Sequence, residues 1–84
     1  MRIVFLSPAW EDYLYWQITD KATLKKINAL IKEIERNPHE GSGKPEPLKH
    51  NLAGWWSRRI NLEHRLVYKV DDGSVFILQC RYHY

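Results

Sequence analysis

Glu46, Arg65 and His83 stand far apart in a chain of 84 residues, yet their side chains would suffice for one particular reaction. That reaction is the cleavage of RNA by its own 2′-hydroxyl. It needs a base to take the 2′ proton, an acid to protonate the departing 5′ oxygen, and cations around the charge that builds on the phosphorus. It needs no external water and no metal. Glu46 lies in Lys44-Pro45-Glu46-Pro47, where flanking prolines fix the backbone and leave the carboxylate little entropy to lose. Arg65 could grip phosphate oxygens bidentately through its planar guanidinium. His83 carries an imidazole, the side chain best suited to donate a proton near neutral pH. Tyr84, beside it, offers a ring that can stack on a base.

Each of these residues also has a plainer reading. Considered alone, Glu46 is more economically a solvated loop glutamate, Arg65 an exposed strand arginine, and His83 a histidine on a frayed end. Lys49, Arg59 and Arg81 are further candidates for phosphate contact, equally well explained as solvated cations. His39, His50 and His64 read as ordinary loop or strand residues. Trp10, Trp16 and Cys80 are packing residues by type. Of the adjacent Trp55 and Trp56, one should enter the core while the other is free to anchor an interface.

Charge gives the set a setting. The net charge is +3, and residues 44–65 hold five bases (Lys44, Lys49, Arg58, Arg59, Arg65) against two acids (Glu46, Glu63). A local basic field suits a polyanion such as RNA, although a solvated surface explains it as readily. The length fits a single domain spanning residues 1–84. At 44% hydrophobic residues with four tryptophans, a dense core is expected rather than disorder. The lone Cys80 excludes an intramolecular disulfide and a cysteine-based zinc site. No H-E-x-x-H pattern or glycine-rich phosphate loop is present, so no metal or cofactor is implied. No secretory leader is legible, and no apolar run approaches the ~20 residues of a membrane span. A reducing cytoplasm is the expected compartment.

The candidate residues need a scaffold to bring them together. Arg2–Leu6 is an apolar run stopped by Ser7-Pro8. It predicts a strand and then a helix, with Ser7 as cap and Pro8 in the first helical position. That helix should reach about Gln17, with Trp10, Tyr13, Leu14 and Gln17 sharing a face. Asp20 caps a second helix, in which Leu24, Ile27, Leu30, Ile31 and Ile34 follow helical spacing until Asn37-Pro38 ends it. The short link makes the pair a helical hairpin. The segment from His39 to Gly54 is broken by Gly41, Gly43, Pro45 and Pro47 and reads as a long functional loop.

Strands follow. Trp55–Ile60 and His64–Val70 are separated by residues 61–63, a loop that would set Arg59 opposite Arg65. Two such cations repel, and the pair makes sense if an anion sits between them. A second three-residue loop, Asp71-Asp72-Gly73, would pair Val70 with Ser74 and Arg65 with Gln79. That register puts Leu66, Tyr68, Val70, Phe76, Leu78 and Cys80 on an apolar face. Arg65, Val67, Lys69, Val75, Ile77, Gln79, Arg81 and His83 fall on the open one, and Tyr82 points to the core. The expected fold is α+β, with two N-terminal helices packed on one face of a twisted antiparallel sheet.

The runs KPEPLKHNLAGWWSRRI, EHRLVYKV and CRYHY, with EDYLYWQ and KKINALIK upstream, resemble the YoeB toxins of the RelE/ParE superfamily over essentially the whole chain. The resemblance implies a microbial RNase-like fold and a toxin of a type II toxin–antitoxin pair that cuts mRNA in the ribosomal A site. It implies Glu46 as base, His83 as acid, Arg65 as phosphate ligand and Tyr84 as the terminal tyrosine. Lys49, Arg59 and Glu63 fall at supporting positions. It also implies a YefM-like antitoxin whose disordered C-terminal segment folds over the toxin, and a homodimer. Two other readings compete. A gyrase-directed toxin of the same fold would need no acid–base set, and a non-catalytic RNA- or ribosome-binding module would need only the basic, aromatic surface.

Overall fold

In the computed structural model, which describes residues 1–84, Asp20 opens the better-patterned of the two helices. Its carboxylate accepts from the Thr23 hydroxyl and from the Ala22 and Thr23 amides. The Thr23 bonds hold its carboxyl below the usual range. Helix α2 (Lys21–Arg36) buries Ile27, Leu30, Ile31 and Ile34, the apolar stripe that the sequence predicts.

Strand β1 (Arg2–Phe5) leads into helix α1 (Ser7–Thr19). Here the expectations shift. Leu6 occupies the cap without a side-chain bond, so Ser7 is the first helical residue and Pro8 the second. The helix runs two residues beyond Gln17. Its buried residues are Ala9 and Trp16, whereas Trp10, expected to pack, is exposed, as is Gln17. Aromatic and aliphatic residues surround α1, so spacing alone does not select a face. Trp10 is instead a surface ring stacked on Tyr13.

The remaining strands are β2 (Glu46–Pro47), β3 (Trp56–Arg59), β4 (Arg65–Asp71) and β5 (Ser74–Gln79), in the sheet order β1-β5-β4-β3-β2. The sheet is mixed rather than wholly antiparallel, because β1 runs parallel to β5. A tight turn forces antiparallel pairing, and β1 has none. It reaches the sheet through the helical hairpin, which leaves its direction free.

The β3–β4 register matches expectation, with Arg59 opposite Arg65. The Asn61 side chain caps the loop by accepting from the Glu63 and His64 amides. The β4–β5 register does not match. Asp71 pairs with Ser74 around a two-residue turn, with Asp72 at φ 50° and Gly73 at φ 71°. Two left-handed residues match the twist of the strands they join. Val75 and Ile77, expected on the open face, are therefore core residues, and Phe76 and Leu78 are only partly buried. A β-bulge between Val67 and Tyr68 then pairs Val67 with Gln79 and Tyr68 with Ile77. Leu78 is left over, and the alternation flips. Leu66, Tyr68 and Cys80 reach the core as expected.

Arg58 departs furthest from its sequence reading. Counted with the basic surface, it is fully buried. Its guanidinium pairs with Glu33 at 3.1 Å and donates to the Asn37, Glu40 and Ser42 carbonyls and the Tyr68 hydroxyl. A buried charge is tolerable when paired and hydrogen-bonded on every side. These bonds bind the end of α2 and the 37–42 loop to β3. The loop closes on β3 through the Arg59 amide, which donates to the Gly43 carbonyl at 2.6 Å. Gly43 has φ +81°, and a β-carbon there would meet the Arg59 carbonyl at 2.9 Å.

Arg58→Ala should lower stability in urea by about 3 kcal/mol, the scale of breaking a buried ion pair; a loss within experimental error would refute the role given to this network. The Ser42 amide, then the Arg58 charge, holds the Glu33 carboxyl below the ordinary glutamate range. Its contribution is therefore complete above the unfolded-state pKa, about 4.3, and is lost as pH falls through the lower folded value. Glu33→Gln should flatten that part of the acid limb in pH-dependent urea melts.

Candidate active site

Cross-strand register assembles the site. Glu46 pairs with Ser57, Ser57 with Val67, and Val67 with Gln79, so one row crosses β2, β3, β4 and β5 on the face away from the helices. Arg59 and Arg65, two residues further along β3 and β4, lie on the same face. The prolines around Glu46 keep β2 to a two-residue edge strand.

Residues 80–84 complete the site, but not as the expected continuation of β5. The strand ends at Gln79, and the chain turns at Tyr82, whose φ is 64°. Tyr82 is thus exposed rather than buried. The turn lays the last residues across the row. The Tyr84 hydroxyl donates to Glu46 Oε1 at 2.8 Å and accepts from the Ser57 hydroxyl at 3.3 Å. His83 Nε2 lies 3.4 Å from the Leu62 carbonyl. Arg65 Nη1 donates to the same carbonyl and to those of Asn61 and His64, while its Nε and Nη2 make no bond within the chain. Tyr84 is thus bonded directly to Glu46, while His83 and Arg65 approach one shared acceptor, the Leu62 carbonyl.

The other candidates divide. Arg59 is exposed beside Arg65. Lys49 lines a cavity of about 410 Å³ beside Glu46 and Tyr84, walled by Pro47, Leu48, His50 and Leu52. Glu63 is exposed on the β3–β4 loop and forms no ion pair. Arg81 lies apart: its guanidinium sits 3.5 Å from the Tyr15 ring centroid and 4.5 Å from that of Tyr82, against α1 rather than over the open face. The strand has ended at Gln79, so strand alternation no longer sets the direction of Arg81. Trp55 and Trp56 are both half-buried, one under the Lys69 ammonium and the other stacked on His39.

Four contributors escape a sequence reading. Ser57 supports Tyr84. Gln79 donates to the Arg81 and His83 carbonyls. Asp12 accepts the Cys80 amide, and Trp16 donates to the Cys80 carbonyl. All act on backbone or on neighbours distant in sequence, so no motif marks them. Burial pushes the Asp12 carboxyl up, against the opposing pull of the Cys80 amide and the Arg81 charge.

A helical hairpin on a mixed sheet, with a carboxylate, arginines and a histidine gathered on the opposite face, defines a RelE-like α+β toxin fold. The family model for the YoeB-like toxin of bacterial type II toxin–antitoxin systems matches residues 5–84, and the chain belongs to that family. The toxin YoeB of Escherichia coli (strain K12) is 63% identical over the full length of both chains. The solved YoeB/ParE toxin from Agrobacterium tumefaciens superposes with a TM-score of 0.96 at 49% identity, again over both whole chains. The Staphylococcus aureus toxin in a heterotetrameric YoeB–YefM complex gives 0.93 at 58% identity, covering all of this chain and 98% of that one. The S. aureus toxin has also been solved as a YoeB dimer.

Burial, with the Asp12 charge, pushes the Cys80 thiol up to about 12. Cys80 should therefore resist alkylation at pH about 8 in the folded chain and react as a free thiol in denaturant. Rapid modification of the folded protein would mean that this segment leaves α1.

Proposed function

We propose that this toxin is a ribosome-dependent endoribonuclease that cleaves mRNA in the A site and so stops translation. What supports the reading most is that two consecutive residues reach the rest of the set: Tyr84 bonds Glu46, and His83 shares the Leu62 carbonyl with Arg65. The residues proposed as base, acid and cation thereby lie on one open face.

In this mechanism Glu46 takes the proton from the 2′-hydroxyl. The Tyr84 hydroxyl occupies Oε1, which orients the carboxylate and leaves Oε2 to the substrate. The 2′ oxygen attacks the adjacent phosphorus. The free nitrogens of Arg65, with Arg59 opposite, bind the phosphate oxygens as negative charge builds. The charge-repelling arginine pair is relieved when that anion is present. His83 protonates the 5′ oxygen as its bond to phosphorus breaks. The products are a 2′,3′-cyclic phosphate and a 5′-hydroxyl, with no metal or cofactor consumed. Lys49 contacts the RNA backbone beside Glu46, and Glu63 has a supporting place at the loop.

The partner inferred from the S. aureus complex is a YefM-like antitoxin that covers the site, and the S. aureus dimer makes a homodimer the expected free form. The gyrase-directed alternative has no use for the Glu46–Tyr84–Ser57 chain.

Glu46→Ala and His83→Ala should each slow single-turnover cleavage of ribosome-bound mRNA by about 10²–10⁴-fold, and end-group analysis should find 2′,3′-cyclic phosphate. Deleting His83 and Tyr84 should abolish cutting while the melting temperature and antitoxin binding change little. Intact cleavage by the double alanine variant would exclude this mechanism. Inhibited gyrase supercoiling without RNA cleavage would favour the protein-directed reading.

A further inference from the structure

His64 is absent from every role assigned above, yet it is tied from both sides. Its carbonyl accepts from the Ile60 and Asn61 amides and from Arg65 Nη1, and its amide donates to Asn61. Its ring stands edge-on to Trp16 with centroids 4.8 Å apart and lies 5.7 Å from the Tyr82 ring. So held, its Nδ1 accepts the Tyr82 amide at 2.7 Å.

That bond sits at the critical point of the segment beyond β5. Of the amides of residues 81–84, Tyr82's alone donates within the chain. It does so where a tyrosine has φ 64°, a backbone region that a β-carbon disfavours. The next two residues are His83 and Tyr84. The Tyr82 carbonyl returns to the Arg65 amide at 3.0 Å, so the turn is clamped between two consecutive residues of the chain, His64 and Arg65. An N–H can be accepted only by an imidazole nitrogen that carries no proton. The bond therefore requires the tautomer with hydrogen on Nε2.

We propose that His64 is a positioning residue, whose Nδ1 lone pair holds the left-handed turn at Tyr82 and so brings His83 to the Leu62 carbonyl beside Arg65 and Tyr84 to Glu46. Its effect on cleavage rests on the ribonuclease reading, while its effect on the turn does not.

Two substitutions separate acceptor from ring. His64→Phe keeps an aromatic ring against Trp16 and removes the acceptor. His64→Asn places a carbonyl oxygen near the position of Nδ1. In the full chain, His64→Phe should raise the exchange rate of the Tyr82 amide by about tenfold or more, as expected for one lost hydrogen bond. It should also shift the His83 and Tyr84 ring resonances. Single-turnover cleavage should fall by about 10–100-fold with apparent ribosome affinity within about twofold, the pattern of misplaced rather than missing groups. His64→Asn should restore both exchange and rate to within about threefold of wild type.

Unchanged Tyr82 exchange in His64→Phe would overturn the proposal, as would a loosened turn with undiminished cleavage in a wild type that cuts. Long-range ¹⁵N spectra of the wild-type imidazole give a test independent of whether a variant folds. Nε2–H with an accepting Nδ1 supports the proposal, and Nδ1–H refutes it. A wild type that cuts no ribosome-bound mRNA would remove the ribonuclease reading, and the exchange and tautomer results would still decide the turn.

Discussion

A positive charge with no access to water has to be answered from all sides, and Arg58 is answered by a carboxylate, three carbonyls and a tyrosine hydroxyl. Those partners come from α2, from the loop after it, and from β4. Meeting the needs of one guanidinium thus fixes how the helical layer, the loop and the sheet meet. The loop emerges from this network at Gly43, bonded to β3, and only three residues later presents Glu46. The location of the candidate base is in this sense a consequence of desolvating an arginine.

The other half of the site follows from a second set of satisfied polar groups. Beyond Gln79 the backbone has one main-chain partner, the Arg65 amide on the Tyr82 carbonyl, and side chains supply the rest. Asp12 and Trp16 take the Cys80 amide and carbonyl, His64 the Tyr82 amide, and Gln79 the Arg81 and His83 carbonyls. A terminal segment would ordinarily fray. This one is held by α1 on one side and by the β3–β4 loop on the other, so its two final side chains can take part in chemistry that demands fixed geometry.

The two networks also sort the arginines. Arg58 is consumed by structure, and Arg81 is stacked on Tyr15. Of the arginines on β3 and β4, Arg59 and Arg65 remain, opposite each other. The basic excess of residues 44–65 is therefore smaller at the surface than in the sequence, and more concentrated. Two facing cations are costly without an anion between them, which fits a face built to receive a phosphate.

Local chemistry made much of this legible in the chain itself. The Asp20 cap, the α2 stripe, the proline-framed Glu46 and the 61–63 loop with Arg59 opposite Arg65 each depend on neighbours a few residues away. The candidate set Glu46, Arg65, His83 and Tyr84, whose members stand far apart in the chain, was legible only through residue types weighed together with the family's motifs. What stayed hidden depends on contacts between distant segments. Nothing in its spacing shows which face of α1 is buried, since apolar residues surround it. The bulge that returns Cys80 to the core is a compromise between a two-residue turn at one end of β5 and packing at the other. The parallel placement of β1, the burial of Arg58 and the work of His64 on Tyr82 belong to the same class. Each satisfies a buried or constrained polar group, or fills a layer, with partners that folding alone brings within reach.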